Sequence, residues 1–149
     1  MFIFNPEHEL ALANDDENFM PKSSTKKLAE DLRFLSFWCE NTDEISVWGW
    51  NKYIRKKLII SGIDKNILPS DEYLENIREL SHRKTANEAM AFLHREIDTP
   101  LPCPAEILRN ITEIEYFAQK YHEIVLKSPY SSSGKGVYFS GKNLSNSVT

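Results

Sequence analysis

The residue types best suited to chemistry lie close together, between residues 127 and 136. Lys127 follows an aliphatic run, residues 124–126, and Pro129 then ends the predicted strand. Three serines and Gly134-Lys135-Gly136 come next, before a second short strand predicted at 137–139. Glycine lets a backbone approach a ligand closely, and N–H groups, serine hydroxyls and lysines together suit phosphate oxygens. The stretch therefore predicts a phosphate-binding loop between two strands.

Lys127 stands out within this stretch because of its neighbours. The two-residue alternation of a strand puts Lys127 on one face with Val125, and Ile124 and Leu126 on the other. A lysine beside apolar residues is seldom buried without a partner, and a ligand phosphate would be one. The predicted phosphate-binding residues here are Lys127, Ser131, Ser132, Ser133, Gly134, Lys135 and Gly136.

Other glycine-loop motifs fit this stretch less well. A Walker-type loop needs a glycine where Tyr130 stands and a helix after the lysine, whereas Val137-Tyr138-Phe139 is typical of a strand. The dinucleotide motif lacks its third glycine. An ordinary hairpin turn with a solvated Lys135 remains an open alternative, since glycine and serine are common in turns.

Composition restricts the class of protein. The chain has 149 residues, 41 % hydrophobic and 27 % charged, which is ordinary for a globular protein. Its net charge of −4 argues against nucleic acid or an anionic membrane as the main partner. No apolar run has the length of a signal peptide or a membrane span. Cys39 and Cys103 match no metal spacing and suggest reduced thiols, so we expect a cytoplasmic protein.

The first 80 residues predict strands alternating with helices, and hence a parallel sheet with covering helices. The predicted strands are Met1–Asn5, Ile45–Trp48 and Ile67–Leu68, and residues 6–23 are predicted to be irregular. Three helices are predicted. The first begins at a hydroxyl cap, Ser24 or Thr25, and its apolar stripe is Leu28, Leu32, Leu35, Trp38 and Cys39. The second has an Asn51 cap and ends at Gly62, and the third begins at Ser70.

The pattern changes after Leu80, and a domain boundary is predicted there. A helix is expected over 81–97, followed by an extended link with prolines at 100, 102 and 104. A strand is predicted at Glu106–Leu108. Thr112 and Glu115 have the spacing of a capping box for the helix that leads to Lys127.

Asn5 and His8 are candidates for a substrate pocket, because they follow the first strand and ligands gather at the carboxyl ends of parallel strands. Glu7, His8 and Glu9 are adjacent in sequence and cannot all face one ion, so no metal site is predicted.

The order of elements in residues 81–139 resembles the front of an ATP-grasp domain. The matching parts are the helix bearing Lys84, the proline-rich link, the Thr112 helix, the strand ending in Lys127 and the Gly/Ser loop. Residues 1–80 are similar to the Rossmann-like "pre-ATP-grasp" domain that usually precedes it. The resemblance implies an α/β fold with domains 1–80 and 81–149. It also implies that Lys84 and Lys127 contact ATP phosphates, with residues 131–136 as the lid loop.

The sequence departs from the family after Phe139. The residues that hold Mg²⁺ in ATP-grasp ligases lie far downstream of the loop, and the final residues 140–149 supply none of them. We therefore expect a truncated form, a remnant or one part of a split enzyme related to ATP-dependent carboxylate–amine or carboxylate–thiol ligases. Nucleotide binding would be weak at most, with Mg²⁺ only if the missing half is supplied, and the chain would be inactive alone. The missing lobe would leave a surface for self-association or a partner chain. The alternative is a non-catalytic α/β interaction module whose Gly/Ser loop is only a turn.

Overall fold

The computed structural model describes residues 1–37, 45–98, 105–121, 123–131 and 136–139. The helices within these ranges are α1 (His8–Asn14), α2 (Ser23–Asp31), α3 (Lys52–Ile60), α4 (Asp71–Ser81), α5 (Arg83–Glu96) and α6 (Ile111–Tyr121). The strands are β1 (Phe2–Ile3), β2 (Ser46–Val47), β3 (Val125–Lys127) and β4 (Val137–Phe139), and 3-10 turns span Arg33–Phe37 and Lys65–Ile67. The described residues form a mixed α/β protein, as predicted.

The chain divides into two compact units, Met1–Ser81 and His82–Thr149. The first contains β1, β2 and α1 to α4, and the second contains α5, α6, β3 and β4. The kinship of the two units to the pre-ATP-grasp and ATP-grasp domains stays a prediction.

The sheet of the first unit is parallel. Phe2 is opposite Ser46 and Ile3 is opposite Val47, and the Trp48 N–H donates to the Ile3 carbonyl at 2.8 Å. The third strand predicted at Ile67–Leu68 is wrong. The Asp64 carboxylate accepts the Asn66 N–H at 2.9 Å and opens the 3-10 turn Lys65–Ile67. This local bond from a short side chain favours a turn over an extended strand.

The core of the first unit lies between α1, α3 and α4, with buried side chains at Ala11, Leu12, Ile54, Leu58, Leu68 and Leu74. The predicted α3 is confirmed, since the Asn51 side chain accepts the Ile54 N–H at 2.9 Å and Gly62 follows the helix with a φ of 92°. Ser70 caps α4 as predicted, through the Tyr73 N–H at 3.1 Å.

Two predictions for the first 40 residues need correction. Residues 8–14 form α1 rather than an irregular segment, because Leu and Ala favour a helix and Ala11 and Leu12 become buried. Helix α2 begins at Ser23 after Pro21-Lys22, with no side-chain cap, so the hydroxyl cap predicted at Ser24 or Thr25 is wrong. Trp38 and Cys39, at the end of its predicted stripe, lie outside the described residues.

The second unit begins with α5, whose cap is His82. The Nδ1 atom of His82 accepts the Lys84 N–H at 2.9 Å. The strand predicted at Glu106–Leu108 is wrong. The Asn87 side chain there bonds both the N–H and the carbonyl of Ala105, each at 2.6 Å, and occupies backbone groups that a strand partner would take.

The capping box of α6 lies two residues before its predicted position. Asn110 accepts the Glu113 N–H at 2.9 Å, and the Glu113 carboxylate accepts the Asn110 amide at 2.8 Å and the Arg109 N–H at 2.7 Å. Asn110 therefore does what the sequence pattern assigned to Thr112, and α6 begins at Ile111.

Strands β3 and β4 form the antiparallel hairpin that the sequence predicts. Val125 is opposite Phe139, and Lys127 is opposite Val137. Because directly opposite residues share a face, Val125, Lys127, Val137 and Phe139 lie on one face, with Leu126 and Tyr138 on the other.

Within the described ranges, every helix is too short or too polar to cross a membrane.

Candidate functional site

A cavity of about 990 Å³ lies within the second unit. Its volume is at the upper end of the range for small-molecule sites, about 300–1,000 Å³. Most of its walls are aliphatic or aromatic, with side chains from α6 and β3 in particular. The apolar residues at the walls include Ile107, Leu108, Ile111, Ile114, Phe117, Tyr121, Ile124, Val125, Leu126 and Tyr138. The cavity can therefore take a ligand with a substantial apolar part.

The two lysines predicted to bind phosphate, Lys84 and Lys127, both line this cavity. Lys84 is in the first turn of α5 and lies 3.5 Å from Glu88, an exposed i, i+4 pair of the kind that contributes little. Lys127 ends β3, and it pairs with no carboxylate in the described part of the chain. Lys127 and Val125 are exposed, whereas Ile124 is buried and Leu126 is half-buried. This pattern agrees with the predicted alternation along the strand. The fold thus places two cations that are far apart in sequence at the walls of one cavity.

At the start of α5, an anion could interact with side-chain charges but not with the backbone N–H groups of the first turn. Arg83 N–H donates to the Pro129 carbonyl at 3.1 Å, Lys84 N–H to His82 Nδ1, and Thr85 N–H to the His82 carbonyl at 3.0 Å. The first three N–H groups of the helix are therefore already bonded. Arg83 and Lys84 nevertheless place positive charge at the positive end of a helix dipole, which a bound anion would relieve.

The segment Ser128–Ser131 is bonded closely to Arg83. The guanidinium donates from Nε to the Ser128 carbonyl at 2.9 Å and from Nη2 to the Ser131 carbonyl at 2.8 Å and the Ser131 hydroxyl at 3.1 Å. The Ser131 hydroxyl in turn donates to the Ser128 carbonyl at 3.4 Å. The predicted phosphate ligand Ser131 thus has its hydroxyl engaged within the protein. Sequence reasoning missed Arg83, since its position resembles that of any solvated residue in a first helical turn.

Gly136 closes the base of the predicted loop. Its carbonyl accepts the Ser128 N–H at 2.7 Å, and its φ is 64°. A Cβ at this position would lie 2.6 Å from the Ser128 hydroxyl oxygen and 2.8 Å from the Ser128 Cβ. Glycine is needed here for both its φ and its small size. The remaining predicted loop residues, Ser132, Ser133, Gly134 and Lys135, lie outside the described residues.

Charges of both signs line the cavity. Arg83, Lys84 and Lys127 provide the cationic groups, and Glu106 and Glu123 provide carboxylates. His82 also lines it, and its ring packs edge to face on Tyr130 with the centroids 5.0 Å apart. No cluster of three metal-ligating side chains occurs in the described parts of the chain.

Asn5 and His8, the predicted substrate-pocket residues, lie together in the first unit and bond to the segment after β2. Asn5 is 1 % exposed, and its side chain donates to the Gly49 carbonyl at 2.8 Å and accepts the Gly49 N–H at 3.0 Å. His8 Nδ1 lies 3.1 Å from the Asn51 amide nitrogen. Burial lowers the pKa of His8 below its ordinary value of 6.5, against opposing effects from the Glu9 charge and a backbone hydrogen bond with Gly49. The contacts observed for this pair hold the ends of the two strands together.

No protein-family model, curated protein or solved structure matches this chain.

Proposed function

We propose that the second unit binds ATP and that the chain belongs to the ATP-grasp type of carboxylate–amine or carboxylate–thiol ligases. The observation that carries the proposal is that Lys84 and Lys127 both line one cavity, whose walls are mostly apolar. A nucleoside triphosphate has the same division of character, since its base is flat and weakly polar while its phosphates are strongly anionic. Cations beside a triphosphate stabilise its charge both when it binds and when it transfers a phosphoryl group.

The apolar walls would take the base. Ile114 and Phe117 on α6 and Leu126 on β3 offer the apolar contact that an adenine ring needs, and Tyr121 and Tyr138 add aromatic surface nearby. Lys84 and Lys127 would contact the phosphates as point charges. ATP would supply an activated phosphoryl group, and this chain's residues would bind and orient it.

The first unit supports the ligase proposal through its topology. A parallel β1–β2 pair with intervening helices is compatible with the Rossmann-like sheet that precedes the nucleotide-binding lobe in the resembling superfamily. We infer that binding to this chain alone is weak, because two solvent-exposed lysines supply most of the charge for the phosphates. Mg²⁺ bound to the triphosphate would then need its protein ligands from outside the described residues.

The test is ATP titration by calorimetry, with and without Mg²⁺, on the wild type and on Lys127→Ala and Lys84→Ala. Loss of one phosphate contact is expected to weaken ATP binding about tenfold in each variant, equivalent to about 1.4 kcal/mol. Lys26→Ala in α2 removes the same charge from the first unit and should leave binding unchanged. The nucleotide proposal fails if the wild type binds no ATP, or if Lys26→Ala weakens binding as much as the two cavity variants.

A second candidate function, an interaction module that self-associates, is favoured by the exposed face of the hairpin. Phe139 is 73 % exposed and the neighbouring Val125 is 48 % exposed on the same face. A two-stranded sheet is marginal alone and gains stability when an apolar face is covered, here by a second copy of the chain. Sedimentation over rising protein concentration should then show a dimer that Phe139→Ser abolishes and Phe92→Ser, an exposed residue of α5, does not. A protein that stays monomeric throughout rejects this candidate.

A further inference from the structure

Arg83 donates four hydrogen bonds to the Ser128–Ser131 segment. Its backbone N–H donates to the Pro129 carbonyl, and its guanidinium donates to the Ser128 carbonyl, the Ser131 carbonyl and the Ser131 hydroxyl. The four distances run from 2.8 to 3.1 Å. Arg83 thus bonds to three of the four residues in this irregular segment, at the start of α5.

These bonds join the neighbours of the two candidate phosphate ligands. Arg83 directly precedes Lys84, and Ser128 directly follows Lys127. A bond between Arg83 and Ser128 therefore limits how far the backbone of one lysine can move from that of the other. Charged groups contribute to binding only when they are held at the distance that the ligand requires.

The guanidinium is suited to this task in a way that an ammonium group is not. Its Nε and Nη2 atoms donate three hydrogen bonds to carbonyl and hydroxyl oxygens of one segment, and the planar fork sets their relative directions. Those donors are occupied within the protein rather than offered to an anion. Arg83 itself is half-buried.

We propose that Arg83 is a positioning residue rather than an anion ligand, and that it fixes the distance between the backbones of Lys84 and Lys127. This assignment rests on the nucleotide binding proposed above. Arg83 acts through the backbone of the Ser128–Ser131 segment. Its removal should loosen that segment in the free protein and weaken ATP binding without removing a direct phosphate contact.

The first test needs no nucleotide. Amide hydrogen exchange of the full chain is compared for the wild type, Arg83→Lys and Arg83→Met, with Arg95→Met near the end of α5 as the matched control. The Ser128 amide, which donates to the Gly136 carbonyl, should exchange about tenfold faster or more in both Arg83 variants, as expected for a lost hydrogen-bonded anchor. Wild-type protection at Ser128 in Arg83→Met overturns the proposal, whether or not ATP binds.

The second test separates positioning from direct charge. ATP affinity is measured at several salt concentrations, because an ionic contact adds to the salt dependence of binding. Arg83→Lys keeps the charge but loses the fork, so it should keep the wild-type salt dependence and still bind ATP more weakly than the wild type. Wild-type ATP affinity in Arg83→Lys would show that the positive charge alone is enough, and it would overturn the proposal. Absence of ATP binding to the wild type rejects the nucleotide function, and the exchange experiment still decides whether Arg83 holds the segment.

Discussion

The two units use their apolar residues in different ways. Within the described residues, six of the seven buried hydrophobic side chains belong to the first unit, and the second contributes Ile124. Helices α5 and α6 have no fully buried residue. Ile114, Phe117 and Leu126 instead line a cavity of about 990 Å³. The first unit fills its interior with its own side chains, whereas the apolar side chains of the second unit surround an open cavity.

Polar contacts follow the same division. In the first unit, Lys52 pairs with Asp15 at 2.8 Å and Glu75 at 2.9 Å, and so ties the helices to one another. Arg55 pairs with Asp71 and lowers the pKa of that carboxyl through its hydrogen bond and charge. In the second unit, the Arg83 guanidinium donates hydrogen bonds to the Ser128–Ser131 segment beside the cavity. Polar groups thus support the packed core in one unit and the walls of a cavity in the other.

The largest expected effect concerns Leu74, which is 2 % exposed in the first core. Leu74→Ala should lower the free energy of unfolding by about 2–5 kcal/mol, because it removes buried methyl groups and leaves a void. Leu126→Ala should cost about 1 kcal/mol or less, since Leu126 already faces open space. Tryptophan fluorescence during urea unfolding reports the first unit, where all three tryptophans lie in the sequence, and amide exchange reports both. Equal losses for the two variants would remove the distinction between a filled and an open unit.

A smaller effect is expected at Gly49, where a Cβ would overlap the His8 ring. Gly49→Ala should cost about 1–3 kcal/mol, because the ring must move within a packed region. The cost should shrink in a His8→Ala background, and urea unfolding of the two single variants and the double variant measures this coupling. Additive effects would show that His8 is not the group that Gly49 accommodates.

In the second unit, the cap of α6 offers a test of about 1 kcal/mol. Asn110→Ala should destabilise this cavity wall by about that amount, because the Glu113 N–H loses its acceptor. Thr112→Ala should stay within about 0.5 kcal/mol, as for an exposed position without such a bond. Amide exchange over residues 111–121 is the measurement. The reverse order would restore the cap predicted from the sequence.

The weakest effect to detect is a pH dependence of the first unit. The pKa of His8 is lowered in the fold by burial, so the unfolded chain takes up a proton first as pH falls. Stability contributed by neutral His8 is therefore complete above its ordinary pKa of 6.5 and is lost as pH falls toward the lowered value. Urea midpoints at about pH 7.5 and about pH 5.5 should differ more for the wild type than for His8→Gln. An identical shift in both proteins would assign the pH dependence to other groups.

Elements with strong local signals could be predicted from the sequence. The Asn51 cap, the Ser70 cap and the β3–β4 hairpin were each specified by residues within a few positions of each other. Predictions failed where a nearby polar side chain bonded the backbone in an arrangement other than the predicted one. Asp64 favoured a turn over a strand before Leu68, and Asn110 rather than Thr112 supplied the cap of α6. Residues 8–14 became helical because α1 buries Ala11 and Leu12.

Local periodicity and turn chemistry were enough to indicate an α/β chain, a lysine at a strand end and a loop that needs glycine. They could not indicate that Lys84 and Lys127 would line one cavity, or that Arg83 would direct its guanidinium at the Ser128–Ser131 segment. Those facts depend on contacts between residues some 45 positions apart. The energy of such contacts comes from packing and from the pairing of polar groups in space, and neither is encoded within a short window of the chain.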